Sequence, residues 1–175
     1  MNEVLKNIKT RRSIRKFKNT MPDKEDIKQI VEAGLYAPSG KNRQATITLV
    51  ITNKELRDKL SKTNCEIGGW DKGFDPFYGA PVVMVVLGDK SAPTSIYDGS
   101  LVMENMMLAA HSLGLGSIWI HRAKQEFEKD EFKQLLKDLG VEGEYEGIGN
   151  LALGYVDGEE PEASKRNEGR VFYID

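Results

Sequence analysis

The chain has 175 residues but only one cysteine, Cys65, and two histidines, His111 and His121. A lone cysteine has no partner for an intrachain disulfide and suits a reducing compartment. Neither histidine has a second ligand at metal-binding spacing, so a transition-metal site is not expected. A surplus of positive charge is missing too: 25 Lys and Arg face 27 Asp and Glu, a net charge of −2. No global field therefore gathers nucleic acid or anionic membrane, and any anion site must be local. No apolar run nears the roughly 18 residues of a membrane span, and the opening MNEVLKNIKTRR lacks an apolar signal core. The expectation is a soluble, cytoplasmic protein, and the length fits a single domain over residues 1–175. Glycine fingerprints for phosphate are absent as well. GLGS at 114–117 precedes an apolar strand instead of opening a helix after one, and nothing resembles a nucleophile elbow.

What is present is a local concentration of charge. From Val4 to Lys18 there are seven basic residues and no acidic one, with Ser13 set inside TRRSIRKFK. Two readings stand open on composition. Arg11, Arg12 and Ser13 can offer two guanidinium groups and a hydroxyl to one phosphate, with Arg15 projecting elsewhere along a ligand. Equally, the run can be a solvated basic face behind a helix.

Hydrophobic spacing sets the remaining frame. Val4, Leu5 and Ile8 mark a short first helix, and Ile27, Ile30, Val31 and Leu35 mark a second, which closes near Pro38. ATITLVIT at 45–52 reads as a strand, followed by a short polar helix over 54–62. The stretch 63–80, rich in glycine and aromatics, reads as a loop or broken helix. PVVMVVLG at 81–88 has the continuous apolar character of a central strand. A long buried helix is expected over 95–116, then the strand SIWIH, one helix from about Phe127 to Gly140, and the core strand GIGNLALGYV. The extended tail GRVFYID closes the chain. This order implies an α+β (α/β layered) chain with helices packed on a sheet.

Several segments together resemble the FMN-dependent nitroreductase family in its short form. They are RRSIRKF at 11–17, the helix ending in APSGKNRQ, GAPVVMVV after an aromatic loop, GLGSIWI, LALGY, and a last basic residue before an extended tail. The resemblance spans nearly the whole chain. It implies a central mixed, mainly antiparallel sheet flanked by helices, with the C-terminal extension exchanged with a partner subunit in a homodimer. It implies FMN as cofactor and NAD(P)H as electron donor. Arg11, Arg12 and Ser13 would hold the phosphate and ribityl end, and Arg15 would lie near the pyrimidine. Pro38, Ser39 and Gly40, with Asn42 and Gln44 in the same loop, would come from the partner. Ile118, Trp119, Ile120, His121 and Arg122 would pass close to the flavin ring, with backbone amides near His121 and Arg122 reaching N5. Arg166 would close on the phosphate from the C-terminal side, with Lys165 beside it.

Three departures from the family pattern stand out. Ala45 and Thr46 replace the common proline and aromatic after the Asn-x-Gln element, Ser164 and Lys165 replace a Lys-Pro pair before Arg166, and the aromatic loop is short. Trp70, Phe74, Phe77 and Tyr78 are candidates for a substrate pocket wall, or else anchors of that loop to the core. The activity implied is NAD(P)H-driven reduction of nitroaromatics, quinones or related flat acceptors by a ping-pong mechanism, with no protein acid or base required. Rival readings are a flavin reductase or dehalogenating member of the same fold, a flavin holder without turnover, and a non-catalytic anion- or nucleic-acid-binding domain that uses the basic run.

Overall fold

A computed structural model describes all 175 residues. Asn2 opens α1 (Glu3–Thr10) by accepting the Leu5 amide on its side chain, an N-cap that satisfies one orphan donor of the first turn. The segment after α1 is extended. Ser13 bridges in parallel to Ser117, Phe17 bridges in antiparallel fashion to Val156, and Ile14 and Phe17 are buried. α2 (Lys24–Leu35) follows, burying Ile27, Ile30 and Gly34.

The rest of the chain alternates between sheet and helix: β1 (Thr46–Ile51), α3 (Lys54–Gly68), β2 (Val82–Asp89), α4 (Ser95–Ser112), β3 (Gly116–Ile120), α5 (Ala123–Phe127), α6 (Asp130–Asp138) and β4 (Tyr145–Gly154). The four strands pair antiparallel in the order β1-β2-β4-β3. The Ser13–Ser117 bridge adds a parallel pairing at the β3 edge.

β2 is buried on both faces, so successive residues feed two cores. Met84 and Val86 pack with Leu151, Leu153, Met103 and Met106 beneath α2 and α4. Val83, Val85 and Leu87 pack with Ala152, Leu60, Phe127 and Phe132 beneath α3, α5 and α6. The result is helices on both sides of one sheet.

Two elements differ from the sequence reading. α3 runs to Gly68 instead of stopping at 62, ended by Gly69 in the left-handed conformation at φ 68°. Its buried face carries Arg57, Ser61, Thr63 and Asn64, so no apolar stripe announces its second half. The expected single helix before Gly140 is two, because Lys129 is extended (φ −78°, ψ 142°) and caps α6.

Candidate functional site

The basic run divides by burial. Ile14 and Phe17 are held in the core, Arg11, Arg12 and Ser13 are half-buried, and Arg15 and Lys16 are exposed. The segment is fixed by hydrogen bonds from the Ile14 amide to the Ser117 carbonyl and from the Lys18 amide to that of Tyr155. α1 in turn is docked on α4. Asn7 donates to the Leu108 carbonyl, and the Thr10 hydroxyl lies 2.8 Å from His111 Nε2. The same hydroxyl lies 2.8 Å from the Lys6 carbonyl, so it bridges the imidazole and the last turn of α1. His111, half-buried in α4, therefore has a side-chain partner.

Arg12 spends one guanidinium nitrogen on the end of α1, donating from Nη1 to the Lys9 and Arg11 carbonyls at 2.8 and 2.7 Å. Its Nε, Arg11 Nη1 and Ser117 Oγ are buried and have no partner. Buried donors without acceptors are rare because each forfeits its hydration. All three residues line one small hollow with Ile14, His111, Leu115, Gly116 and Glu160. Two guanidinium groups and a hydroxyl are donor chemistry suited to an anion, but the hollow as it stands is too tight to hold one, and Glu160 lies on its wall. A neighbouring hollow is lined by Ser13, Arg15 and Lys16 together with Val156, Asp157, Glu159 and Pro161.

The loop after α2 forms a separate hollow in which Pro38, Ser39 and Gln44 meet Asp98 and Val102. Its backbone is tightly specified. Lys41, Asn42 and Gln44 all adopt positive φ (54°, 53° and 51°), a conformation that costs a non-glycine residue about 1 kcal/mol or more. Asp98 accepts the Gly40 amide at 3.0 Å and the Thr94 hydroxyl at 2.9 Å, and Ser39 Oγ accepts the Gln44 amide. Gly40 has no alternative here: a Cβ would lie 2.4 Å from Thr94 Oγ1. Asn42 and Gln44 are exposed, with Gln44 Nε2 donating to Asn42. Within one chain this loop and the basic run line different hollows.

In β3, Ile118 and Ile120 face the core under α5, while Trp119 lies against Gly149 on the opposite face. These three side chains are committed to packing. The backbone beyond them is another matter. Arg122 adopts φ 83° where α5 begins, and its guanidinium lies 4.3 Å above the Trp70 ring. The amides of His121 and Arg122 donate to no backbone carbonyl.

Directly behind this turn lies a polar cluster that the sequence did not announce. Glu126 has no exposed surface and accepts from Asn64 on one carboxylate oxygen and from Asn150, at 2.9 Å, on the other. Asn64 also donates to the His121 carbonyl at 2.9 Å. Gly147 makes the approach possible, since a Cβ there would sit 2.1 Å from the Ala123 carbonyl carbon and hold α5 off the sheet. Burial pushes the Glu126 carboxyl up to about 7, against the two asparagine donors and the charge of Arg122, which pull it down. Residues 64, 126 and 150 lie on three elements with no common spacing. The one signal available was a carboxylate and an amide at positions that apolar periodicity assigns to the core.

The aromatic candidates separate. Trp70 and Phe74 are each 40% exposed, pack edge to face, and line a cleft of about 560 Å³ with Lys62, Cys65, Glu66 and Lys72. Phe77 has no exposed surface; it is a core residue and not a pocket wall. Tyr78 is half-buried against the same core and meets Phe74 edge to face. The loop is fastened by Asp75, which binds Arg57, accepts Ser61 Oγ at 2.6 Å, and accepts the amides of Phe77 and Gly79. Burial alone would raise this carboxyl, but Arg57, Ser61 and the Gly79 amide outweigh it and the net direction is down. Lys165 and Arg166 are exposed on the tail, where Lys165 pairs with Glu168; neither reaches the hollow beside Arg11.

Comparison with known proteins decides the family. The sequence profile of the Nitroreductase family matches residues 8–67 and 69–155. The chain belongs to the nitroreductase family. With it, the chain belongs to the oxidoreductases. The fold is similar to that of a nitroreductase from Bacteroides fragilis solved with bound FMN, at a TM-score of 0.91, 28% identity and full coverage of both chains. A nitroreductase with bound FMN from Desulfitobacterium hafniense gives 0.88 and 31%, again over both whole chains. In sequence, the chain is 26% identical over 181 residues to an NADPH-flavin oxidoreductase of Vibrio harveyi, covering 98% of this chain and 72% of that protein. It spans 60% of the length of one curated relative and 86% and 94% of two others. The nitroreductase fold of this member thus has a four-stranded antiparallel sheet with helices on both faces.

Proposed function

We propose that this nitroreductase-family chain is one FMN-binding domain that works as a homodimer, taking electrons from NAD(P)H and passing them to nitroaromatics, quinones or related flat acceptors in a ping-pong cycle. The observation that carries the reading is the cluster of partnerless buried donors at Arg11, Arg12 and Ser117 beside Ser13. In a chain of net charge −2, such donors call for a local anion. The bound FMN of the similar Bacteroides fragilis and Desulfitobacterium hafniense proteins supplies one with a phosphate.

In this reading Arg11 and Arg12 hold the phosphate by charge-assisted hydrogen bonds, and Ser13 adds a short neutral donor. Lys165 and Arg166 close on it when the tail rearranges in the dimer. Arg15, exposed and free to turn inward, places positive charge near the pyrimidine, where reduction accumulates negative charge. The amides of His121 and Arg122 lie free at the end of β3 for the flavin ring. Pro38, Ser39 and Gly40, with Asn42 and Gln44, come from the second copy, which accounts for their separation from the basic run within one chain. Trp70 and Phe74 form the wall on which a flat acceptor stacks, and Tyr78 backs them. When bound, FMN supplies the hydride chemistry, so the chain's own residues bind, orient and exclude water.

The test is an absorption spectrum of the purified protein, identification of any flavin released on denaturation, and anaerobic addition of NADH or NADPH. The reading predicts a yellow protein that releases FMN and is bleached by at least one nucleotide. A colourless protein that takes up no added FMN would falsify it. Flavin that binds but is not bleached would mark a flavin holder without turnover. Steady-state rates across nitro compounds, quinones and free flavins then separate the acceptor classes.

A further inference from the structure

The cluster formed by Asn64, Glu126 and Asn150 is buried, polar and unused by the chemistry above, yet it touches the His121–Arg122 turn, whose amides donate to no backbone carbonyl. Its geometry has a direct consequence. The His121 carbonyl and the Arg122 N–H belong to one planar trans peptide, so they point in opposite directions. Asn64 Nδ2 binds that carbonyl from inside at 2.9 Å. The Arg122 N–H is therefore turned away from the cluster, and it donates to no group within the chain.

Asn64 can do this only if its amide is held the right way round. A flipped amide would set its oxygen against the His121 carbonyl oxygen. Glu126 prevents the flip, because its Oε1 accepts the second N–H of the same Nδ2. Asn150, opposite Ile120 in the β3–β4 pairing, accomplishes the same for Glu126 by donating to Oε2. Three elements thus converge on a single peptide plane: α3 through Asn64, α5 through Glu126 and β4 through Asn150.

We propose that Asn64 and Glu126, braced by Asn150, are positioning residues that lock the His121–Arg122 peptide so that the Arg122 N–H is presented to N5 of a bound flavin. The proposal rests on the FMN reading given above. It assigns no proton transfer and no contact with substrate to any of the three. What the cluster contributes is orientation: a hydrogen-bond donor kept on its target is worth far more than one that rotates freely.

The test compares FMN with 5-deaza-FMN, in which N5 is replaced by a C–H that cannot accept a hydrogen bond. Dissociation constants of both would be measured for the wild type, Asn64→Leu, Glu126→Met and Glu126→Gln, alongside the thermal midpoint of each flavin-free protein. Wild type should prefer FMN by about tenfold, the value of one well-aligned hydrogen bond. Asn64→Leu and Glu126→Met should lose that preference by weakening FMN while leaving 5-deaza-FMN unchanged. Glu126→Gln should keep it, since the amide oxygen still accepts from Asn64 and Asn150 can turn its own oxygen toward the new N–H. If Asn64→Leu does not fold, Glu126→Met against Glu126→Gln makes the same comparison.

Equal weakening of both flavins in the variants would mean that the cluster supports the fold alone and would overturn the proposal. So would variants that leave the FMN preference intact. A wild type that binds neither flavin is a different result: it removes the FMN reading itself, and the positioning role with it.

Discussion

A buried carboxyl with a raised pKa ties local structure to pH. Glu126 lies at about 7 in the folded chain against 4.5 for an ordinary glutamate carboxyl. The stability this group retains while protonated is fully present below about pH 4.5 and is lost as pH rises through 7. At about 1.4 kcal/mol per pKa unit the change is on the order of 3 kcal/mol. Asp75 acts in the opposite window, because its lowered pKa gives stability that is present above 3.8 and lost as pH falls below it. Glu126→Gln should therefore be more stable than the wild type at pH 8, with the gap closing by pH 5. Denaturant midpoints across that range check this, and parallel curves would show that Glu126 does not titrate there. Arg11 tests the anion site at the same scale. Its partnerless Nη1 predicts that Arg11→Ala weakens FMN by roughly 10- to 100-fold, as loss of a hydrogen bond to a charged group does. Riboflavin, which has no phosphate, should bind both forms alike. Equal weakening of riboflavin would point to collapse of the α1–α4 junction instead.

Whole elements decided how much could be read from the sequence. β2 was legible as a continuous apolar run of strand length and α2 as a stripe of period 3.6, and Ile27, Ile30 and Val83 to Leu87 are core residues. The second half of α3 was not, because its inward face carries Thr63 and Asn64 where a pattern search looks for Leu or Val. The Asn64–Glu126–Asn150 cluster escaped for the same reason, since it requires knowing that three polar residues from distant segments share one interior. Charge alone left RRSIRKF open between an anion site and a solvated face, and it could not tell that Arg12 would spend its Nη1 on the end of α1. Within the aromatic loop, spacing could not separate anchor from wall. Packing does: Phe77 is fully enclosed while Phe74 is 40% exposed beside Trp70. Phe77→Ala should cost about 3–5 kcal/mol of stability, as large-to-small changes in a core do. Phe74→Ala should cost far less and shift acceptor preference without loss of FMN. Chemical denaturation and a steady-state acceptor panel measure the two effects, and similar destabilisation by both would make the whole loop structural.

At the scale of the whole molecule, one chain leaves unusual apolar surface in water. Val4, Leu5 and Ile8 of α1, Ile96, Tyr97 and Leu101 of α4, and Leu35 and Tyr36 at the end of α2 are all more than 40% exposed. The tail is more extreme: Val171, Phe172, Tyr173 and Ile174 range from 69% to 97% exposed. Burying side chains of this size contributes about 1.5–3 kcal/mol each, so a second copy that covers the tail has a strong drive to associate. Under the proposed function, the same association brings residues 38–44 of one copy to the basic run of the other and couples dimerisation to cofactor binding. Removing residues 170–175 should then shift the chain toward monomer and reduce its bound flavin in parallel. Light scattering and the flavin-to-protein absorbance ratio, read at several concentrations, test both together. A truncated protein of unchanged mass and full flavin content would show that the tail is dispensable and that the dimer is held by the helix faces. Loss of flavin at unchanged mass would instead place the tail over the phosphate of its own subunit, beside Arg11.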